Sequence, residues 1–154
     1  MVMTSGALMP SSWLASLRAV SDQVFQQYGC SEAGCVAIQL SVTHPQQMGI
    51  PLSHVRVRAG EIDRPSEIIV ETENKTIHTN DLGYFAEDGT LHFVSRIDDV
   101  INVAGLNVYP QEVEDVLMEE PRVKEAIVYK KQIYMRGSVC VRYLHPIAPL
   151  VRWN

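Results

Sequence analysis

Alternating apolar and polar residues dominate the first two thirds of the chain and predict β-strands. Five segments have the alternation or the β-branched composition of strands, namely 22–29, 35–42, 54–60, 66–73 and 91–96. Asp88 and Gly89 predict a hairpin turn before the last of them, because glycine tolerates positive φ. Pro45, Gly49 and Pro51 predict a loop.

Helical spacing of apolar residues is confined to two short segments. Residues 11–20 place Trp13, Leu14, Leu17 and Val20 at helical intervals, and Ser11 or Ser12 is expected to cap that helix. The sequence YPQEVEDVLMEEP (109–121) predicts a second helix. Pro110 suits its first position, and its apolar face is formed by Val113, Val116 and Leu117.

A change in the predicted secondary structure near Asp98 indicates two structural parts. The residues before it are β-rich, whereas those after it predict a helix and two further strands, 125–131 and 138–144. We therefore expect an α/β (α+β) chain with one part at 1–97 and another at 98–154. A length of 154 residues is enough for one ordinary domain or two small ones.

Charge and cysteine content narrow the class of protein. The net charge is -5 and Lys75 is the first lysine, so clustered cations for a nucleic acid are missing. Cys30, Cys35 and Cys140 form no Cys-x-x-Cys pair, and we expect reduced thiols in a cytoplasmic protein without a zinc site. The N-terminal segment does not have the pattern of a signal peptide, and no membrane span is predicted.

Polar residues in QQYGCSEAG (26–34) predict a ligand-binding turn between two strands. Tyr28 can stack on a base, Ser31 can donate a hydrogen bond to a phosphate, and Glu32 can hold magnesium. The alternative is an ordinary polar turn with Tyr28 in the core, which the segment alone favours.

Two later segments carry further candidate residues. The two oxygens of Asp81 can accept both hydroxyls of a ribose, and Arg96 can reach the same sugar or a phosphate. Alternatively, Asp81 forms a turn and Arg96 makes a surface ion pair with Asp98. Gly105, between apolar stretches, indicates close approach of the backbone to a ligand or to another segment.

The order of these motifs carries more information than any one of them. The run YGCSEAG, followed by TNDLGYFAEDGTLHFVSRIDDVINVAGLNVYPQEVEDVL, resembles the adenylate-forming (AMP-binding) superfamily of acyl-CoA synthetases, firefly luciferase and peptide-synthetase adenylation domains. The resemblance runs from about Ser5 to about Val128 and is closest to acyl- and aryl-CoA synthetases, which include the fatty-acid–CoA ligases. It implies the antiparallel, β-rich end of a large adenylation domain (1–97) followed by an incomplete C-terminal lid (98–154).

The resemblance also implies site residues in the β-rich part. Gly6 and Ala7 match a glycine-containing loop that lines the acyl and adenine pocket. Tyr28 matches the aromatic residue that packs against adenine. Ser31 matches the hydroxyl residue near the α-phosphate, and Glu32 matches the magnesium-associated glutamate. Ser31 and Glu32 are therefore the implied catalytic residues.

The remaining implied residues lie around the predicted boundary. Asp81 matches the ribose-binding aspartate and Arg96 the arginine that also reaches the nucleotide. Asp98 falls at the hinge about which the lid moves. Gly105 matches a glycine along the coenzyme A channel.

The implied reaction uses ATP, magnesium and coenzyme A. A carboxylic acid attacks the α-phosphate of ATP to give acyl-AMP and pyrophosphate, and coenzyme A then displaces AMP. Such transfers depend on positioning and charge neutralisation more than on acid–base side chains.

Two parts of the family pattern are missing from these 154 residues, namely the phosphate-grasping loop and the C-terminal catalytic lysine. Asn80 stands where a glycine is common, and Asn107 where many members have an arginine. We therefore expect a truncated chain that is inactive alone.

The alternative function is a non-catalytic nucleotide-binding or interaction module. Apolar edges near Val36, Ile38, Leu40 and Val55 are expected to favour self-association or docking of a complementary fragment.

Overall fold

The computed structural model describes residues 1–6, 8–103, 105–131 and 138–144. Backbone contacts divide the chain into two compact units, Met1–Ile97 and Asp98–Asn154. The architecture is mixed α/β and strand-rich, as the sequence predicted. The assignment of the two units to a large domain and a lid stays a prediction.

The first unit is an eight-stranded sheet with one helix. The sheet order is β1-β2-β3-β4-β8-β7-β6-β5, in which β1 and β2 are parallel and the other neighbours antiparallel. The strands are β1 (Val2–Ser5), β2 (Val24–Cys30), β3 (Gly34–Gln39), β4 (Gln47–Pro51), β5 (Arg56–Arg58), β6 (Ser66–Glu71), β7 (Thr76–Phe85) and β8 (Leu91–Arg96), and the helix α1 is Ser11–Val20.

The five predicted strands and the first helix are confirmed, with three corrections. The loop predicted from Pro45, Gly49 and Pro51 is present at Pro45, which lies in a turn, but it is wrong for the other two, because Gln47–Pro51 forms a strand in which Gly49 (φ 92°) lies directly against the backbone of Ile38. The first helix has Pro10 at its N-cap with no side-chain cap, so the serine cap is wrong. Strands β1 and β7 were not among the predicted strands.

The core of this unit follows from the period of two along its strands. On β7, the buried positions are Ile77, Thr79, Asp81 and Gly83, while their neighbours face outwards or are half-buried. Because side chains on a strand alternate between its faces, the two polar residues Thr79 and Asp81 project into the interior. The main apolar cluster comprises Tyr28, Val36, Ala37, Met48, Ile68, Val70, Ile77 and Leu91.

The predicted apolar edge near β3 is only partly present. Val36 is completely buried in the main cluster, so it is not an exposed edge residue. Ile38 is half-buried, and Leu40 is 70% exposed. The expectation was wrong for Val36 because β4 covers β3 on the side away from β2.

The described residues of the second unit form two antiparallel strand pairs and one helix. Its elements are β9 (Ile101–Val103), β10 (Leu106–Val108), α2 (Pro110–Met118), β11 (Glu125–Lys131) and β12 (Ser138–Leu144). Pro110 occupies the start of α2 as predicted, because its fixed φ suits the first helical turn. Val116 is 65% exposed, so it does not belong to the buried face of the helix.

Candidate functional site

A buried carboxylate on β7 is held by two side chains from other strands. The Tyr28 hydroxyl donates to Asp81 Oδ2 at 2.6 Å, and Arg96 Nη1 donates to Asp81 Oδ1 at 2.9 Å. Asp81 is 6% exposed, whereas half of the Arg96 side chain faces solvent. Each carboxylate oxygen therefore has a charged or strongly polar donor, which offsets the cost of burying the group.

The Tyr28–Asp81 hydrogen bond requires the sheet to curl. Tyr28 lies on β2 and Asp81 on β7, and three strands stand between them in the sheet. In a flat sheet with strands about 4.8 Å apart, β2 and β7 would be roughly 19 Å from each other. The phenol meets the carboxylate because the two halves of the sheet face each other across the main apolar cluster, to which the Tyr28 ring belongs.

Burial raises the pKa of the Tyr28 phenol far above its ordinary range, and the hydrogen bond to Asp81 raises it further. An anionic phenolate there would lose its hydration and face the Asp81 carboxylate. Tyr28 therefore remains a neutral donor. Its ring lies in the core, so the alternative that the sequence left open describes this structure, and its contact with adenine stays a prediction.

A bulge on β7 lies directly at Asp81. The pairing runs from His78 with Ile69 to Leu82 with Glu67, so β7 has two more residues than β6 over this interval. Thr79 Oγ1 closes the bulge by donating to the Ile68 carbonyl at 2.7 Å. The same oxygen accepts the Asp81 backbone N–H at 3.1 Å. Such bulges re-aim side chains, often beside functional sites.

The residue before Asp81 explains one departure from the family pattern. Among the residues that the structure describes, Asn80 is the only non-glycine residue with positive φ, at 57°. Glycine adopts this left-handed conformation freely, and asparagine is one of the few other residues that tolerate it. Asn80 therefore fits a backbone position at which the family commonly has glycine.

The structure overturns both alternatives for Asp81 and Arg96. Asp81 lies inside the ten-residue strand β7, so it is not a turn former. Arg96 ends β8 as predicted, and its ion pair is with Asp81 rather than with Asp98. Cross-strand pairing explains this choice, because Asp81 and Arg96 are direct partners in the β7–β8 ladder.

Ser31 and Glu32 are exposed on the turn that joins β2 to β3. Tyr28 lies on β2, the strand that leads into this turn, and its hydroxyl binds Asp81. Within the described ranges no group of three or more metal-ligating side chains occurs. A single exposed carboxylate such as Glu32 still fits magnesium, which is typically bound through one or two carboxylates together with substrate phosphates.

The remaining predicted residues are spread over the chain. Gly6 is exposed with φ 87°, and Ala7 lies outside the described residues. Asp98 is part of a single 3₁₀ turn, Ile97–Asp99. Gly105 (φ 90°) occupies the turn between β9 and β10, where its N–H donates to Asn102 Oδ1 at 3.1 Å.

One residue beside the site was missed in the sequence. Glu67 accepts the Asn80 N–H at 3.2 Å and contacts His78 Nδ1 at 2.8 Å. It was assigned only to a strand, because nothing in SEIIVETE separates it from an ordinary outward-facing glutamate. The β-bulge that brings Asn80 to it leaves no clear sign in the alternation.

Comparison with known proteins identifies the class to which this geometry belongs. No family model matches. The chain is 44% identical over 139 residues to 3,4-dihydroxybenzoate–[aryl-carrier protein] ligase of Bacillus anthracis, covering 90% of this chain and 34% of that protein. It is 31% identical over 153 residues to 2-succinylbenzoate–CoA ligase of Geobacillus sp. (strain WCH70), covering 81% of this chain and 31% of that protein.

The fold of a solved structure is similar to that of this chain. The amide bond synthetase McbA from Marinactinospora thermotolerans superposes with a TM-score of 0.79 and 26% identity, over 97% of this chain and 37% of the other. The resemblance to the adenylate-forming superfamily is confirmed, and this chain belongs to that superfamily. It spans about a third of the length of the curated relatives it matches. In the part of the chain that the structure describes, no helix is long and apolar enough to cross a membrane.

Proposed function

We propose that this chain carries the ribose- and adenine-contacting part of an acid–thiol ligase. The observation that supports this best is the buried Asp81 carboxylate, held between the Tyr28 phenol and the Arg96 guanidinium. A carboxylate fixed in this way is a rigid double acceptor, and its cost of burial is offset by the two donors.

Asp81 has the capacity to bind a ribose. A carboxylate offers about four lone-pair sites, and the protein donors use one on each oxygen. One acceptor site per oxygen therefore remains for the 2′- and 3′-hydroxyls. Arg96, whose side chain is half-exposed, keeps further N–H groups, and these are proposed to contact a phosphate oxygen of the same nucleotide.

The proposed reaction has two steps. A substrate carboxylate oxygen attacks the α-phosphorus of ATP and pyrophosphate leaves, which gives the acyl adenylate. A thiol sulfur of coenzyme A or of a carrier protein then attacks the acyl carbon, and AMP leaves. Ser31 is proposed to donate to the α-phosphate and Glu32 to bind the magnesium ion that neutralises the phosphates.

An aromatic carboxylic acid is proposed as the substrate class. The 44% identical relative is named for 3,4-dihydroxybenzoate and the other for 2-succinylbenzoate, and both matches cover most of this chain. Their names also give two acceptors, an aryl-carrier protein and coenzyme A.

The two units are proposed to be the end of the large adenylation domain and the start of the lid. Under this proposal Asp98 is the hinge residue and Gly105 lies along the channel for the thiol substrate. The 3₁₀ turn that contains Asp98 supports a short connection, because its three residues are all exposed.

The 154 residues by themselves are proposed not to catalyse adenylation. No Ser/Thr/Gly-rich phosphate loop and no lysine in a matching setting occurs in this sequence. Nucleotide binding without catalysis is therefore the second candidate function of the isolated chain. Acid-dependent exchange of labelled pyrophosphate into ATP, measured with a panel of aromatic and fatty acids, separates the two. Robust exchange by the pure chain would refute inactivity.

Binding of AMP tests the ribose site directly. The chain is titrated with AMP and with 2′,3′-dideoxy-AMP and followed by NMR. We expect AMP to bind in the millimolar range, about 4 kcal/mol, and to bind more tightly than the dideoxy analogue. Asp81→Ala should abolish that preference, and Asp88→Ala, on the exposed β7–β8 turn, should keep it. An Asp81→Ala chain with an undiminished preference for AMP would refute the ribose site.

A further inference from the structure

Glu67 connects two residues of β7 from the outer side of the bulge. Its Oε2 contacts His78 Nδ1 at 2.8 Å, and its Oε1 accepts the backbone N–H of Asn80 at 3.2 Å. The hydrogen bond from His78 lowers the pKa of Glu67, and the Asn80 N–H lowers it further. Both oxygens of an ionised carboxylate are thus engaged with the segment that immediately precedes Asp81.

The conformation of Asn80 makes this contact more than a surface ion pair. Its φ of 57° is costly for a residue with a Cβ, and such a conformation persists only where surrounding contacts hold it. The Glu67 acceptor is available to the Asn80 N–H only while the chain bulges at this point. Loss of that acceptor therefore favours relaxation of Asn80 towards an ordinary extended conformation.

The bulge is held from both sides. On the buried side, Thr79 Oγ1 joins the Ile68 carbonyl to the Asp81 N–H. On the solvent side, Glu67 holds Asn80. Relaxation at Asn80 would undo the bulge, in which β7 has two more residues than β6, and would shift the backbone of Asp81 along its neighbouring strands. The carboxylate of Asp81 would then move relative to Tyr28 and Arg96.

We propose that Glu67 is a positioning residue for nucleotide binding: by fixing the bulge at Asn80, it aims the Asp81 carboxylate at the ribose hydroxyls. This inference rests on the proposed function of Asp81 as the ribose acceptor. Glu67 itself does not touch the nucleotide in this proposal.

The test compares AMP with 2′,3′-dideoxy-AMP in Glu67 variants, by the same NMR titration. Glu67→Asp keeps the charge but shortens the side chain, so it no longer reaches the Asn80 N–H. We expect Glu67→Asp and Glu67→Ala to lower the affinity for AMP about tenfold and to leave that for the dideoxy analogue unchanged. Glu67→Gln keeps an acceptor oxygen at the same reach and should retain the preference.

The matched control is Glu71→Ala. Glu71 lies on the same strand and makes an ion pair with Arg58 at 2.8 Å, away from the bulge. It should bind AMP like the wild type, although it also loses one ion pair. If Glu67 has a purely structural role, its substitution lowers the affinities for AMP and for the dideoxy analogue equally. That result overturns the inference.

The outcomes separate the two proposals. A wild-type chain that prefers AMP, together with a folded Glu67→Asp chain that prefers it equally, overturns the positioning role and leaves ribose binding intact. A wild-type chain without any preference for AMP refutes ribose binding at Asp81, and the role of Glu67 falls with it. Because Glu67→Asp is the mildest change, it decides the question even where Glu67→Ala does not fold.

Discussion

The hydroxyl of Tyr28 and the carboxylate of Asp81 lie 2.6 Å apart, although 53 residues separate them in the sequence. This bond joins the two halves of the curled sheet at a point where both partners are buried. It therefore belongs to the candidate site and to the core of the first unit at the same time. Changes to either residue are expected to alter stability as well as binding.

Tyr28→Phe should destabilise the first unit by about 1–2 kcal/mol, because a buried charged acceptor loses its donor. The free energy of unfolding in urea, followed by circular dichroism, measures this loss. Tyr84→Phe is the control, since the Tyr84 hydroxyl is 3.3 Å from His92 Nδ1 in a half-buried cross-strand pair. Equal losses in the two variants would contradict a special role for the Tyr28–Asp81 bond.

The raised pKa of Tyr28 also predicts how stability depends on alkaline pH. In the unfolded chain a tyrosine releases its proton near pH 10, whereas folded Tyr28 keeps its proton well above that value. The unfolded state then binds fewer protons, so the free energy of unfolding falls as the pH rises past about 10. Below that pH the stabilisation is fully present.

Titration of near-ultraviolet tyrosinate absorbance checks this prediction. The chain has six tyrosines. We expect the phenol of Tyr28 to ionise only when the protein unfolds, so Tyr28→Phe should leave the absorbance change of the folded state unaltered. A smaller change in Tyr28→Phe than in the wild type, before unfolding, would show that Tyr28 titrates in the folded protein.

Asn80 should respond to substitution according to its positive φ. Asn80→Gly is expected to be nearly neutral, because glycine adopts φ 57° without a Cβ clash. Asn80→Ala should cost about 1 kcal/mol, and Asn80→Val more, because a β-branched residue is rarely found there. Urea unfolding of the three variants gives the order, and equal stability of Asn80→Gly and Asn80→Val would contradict the conformation described.

Two glycines with similar φ provide a test of packing at β4. Gly49 (φ 92°) and Gly89 (φ 80°) both adopt the left-handed region, so alanine is strained at each. A Cβ at Gly49 would meet the backbone of Ile38, whereas one at Gly89 meets open space. We expect Gly89→Ala to cost about 1 kcal/mol and Gly49→Ala to cost several-fold more or to prevent folding. Similar losses would contradict the close β3–β4 approach.

The sequence predicted the strands that have regular apolar alternation, β-branched residues or a clear turn beside them, and it missed β1, β4 and β7. β6 was predicted from its β-branched residues and β8 from the turn before it, both at nearly the observed bounds. β4 contains Gly49 and ends at Pro51, residues that usually punctuate a chain, and only the tertiary contact with Ile38 makes them part of a strand. Local propensity was overridden there by packing.

The candidate site was predictable in residue type but not in geometry. Asp81 and Arg96 were identified from motif order, and their cross-strand pairing follows from the hairpin that Asp88 and Gly89 predicted. The partnership of Asp81 with Tyr28 depends on the curl of the whole sheet, which no local pattern encodes. Glu67 was missed for a related reason, since its contact with Asn80 exists only in the bulge.

The boundary between the two units predicts where trypsin cuts first. Arg96 is the last residue of β8, and the following residues Ile97–Asp99 form one exposed 3₁₀ turn. Arg56 and Arg58 are also exposed, but they lie within β5, whose backbone pairs with β6. A protease must draw out an extended segment, and a short connection between compact units opens more readily than a paired strand. We expect cleavage after Arg96, or in the C-terminal tail, before cleavage at Arg56, at Arg58 or at Lys75, which lies in a turn closed by hydrogen bonds with Thr72.

AMP should slow that cleavage, because the Arg96 side chain would be held by the nucleotide as well as by Asp81. Mass spectrometry of a digestion time course, with and without AMP, detects a fragment of residues 1–96 and the rate at which it appears. Asp81→Ala removes the ion pair, so it should be cut faster after Arg96 and should lose the protection by AMP. Early cleavage at Arg56 and Arg58 with a persistent Arg96–Ile97 bond would contradict a domain boundary at Asp98, because only a connection fused into one of the folded units would be protected in that way.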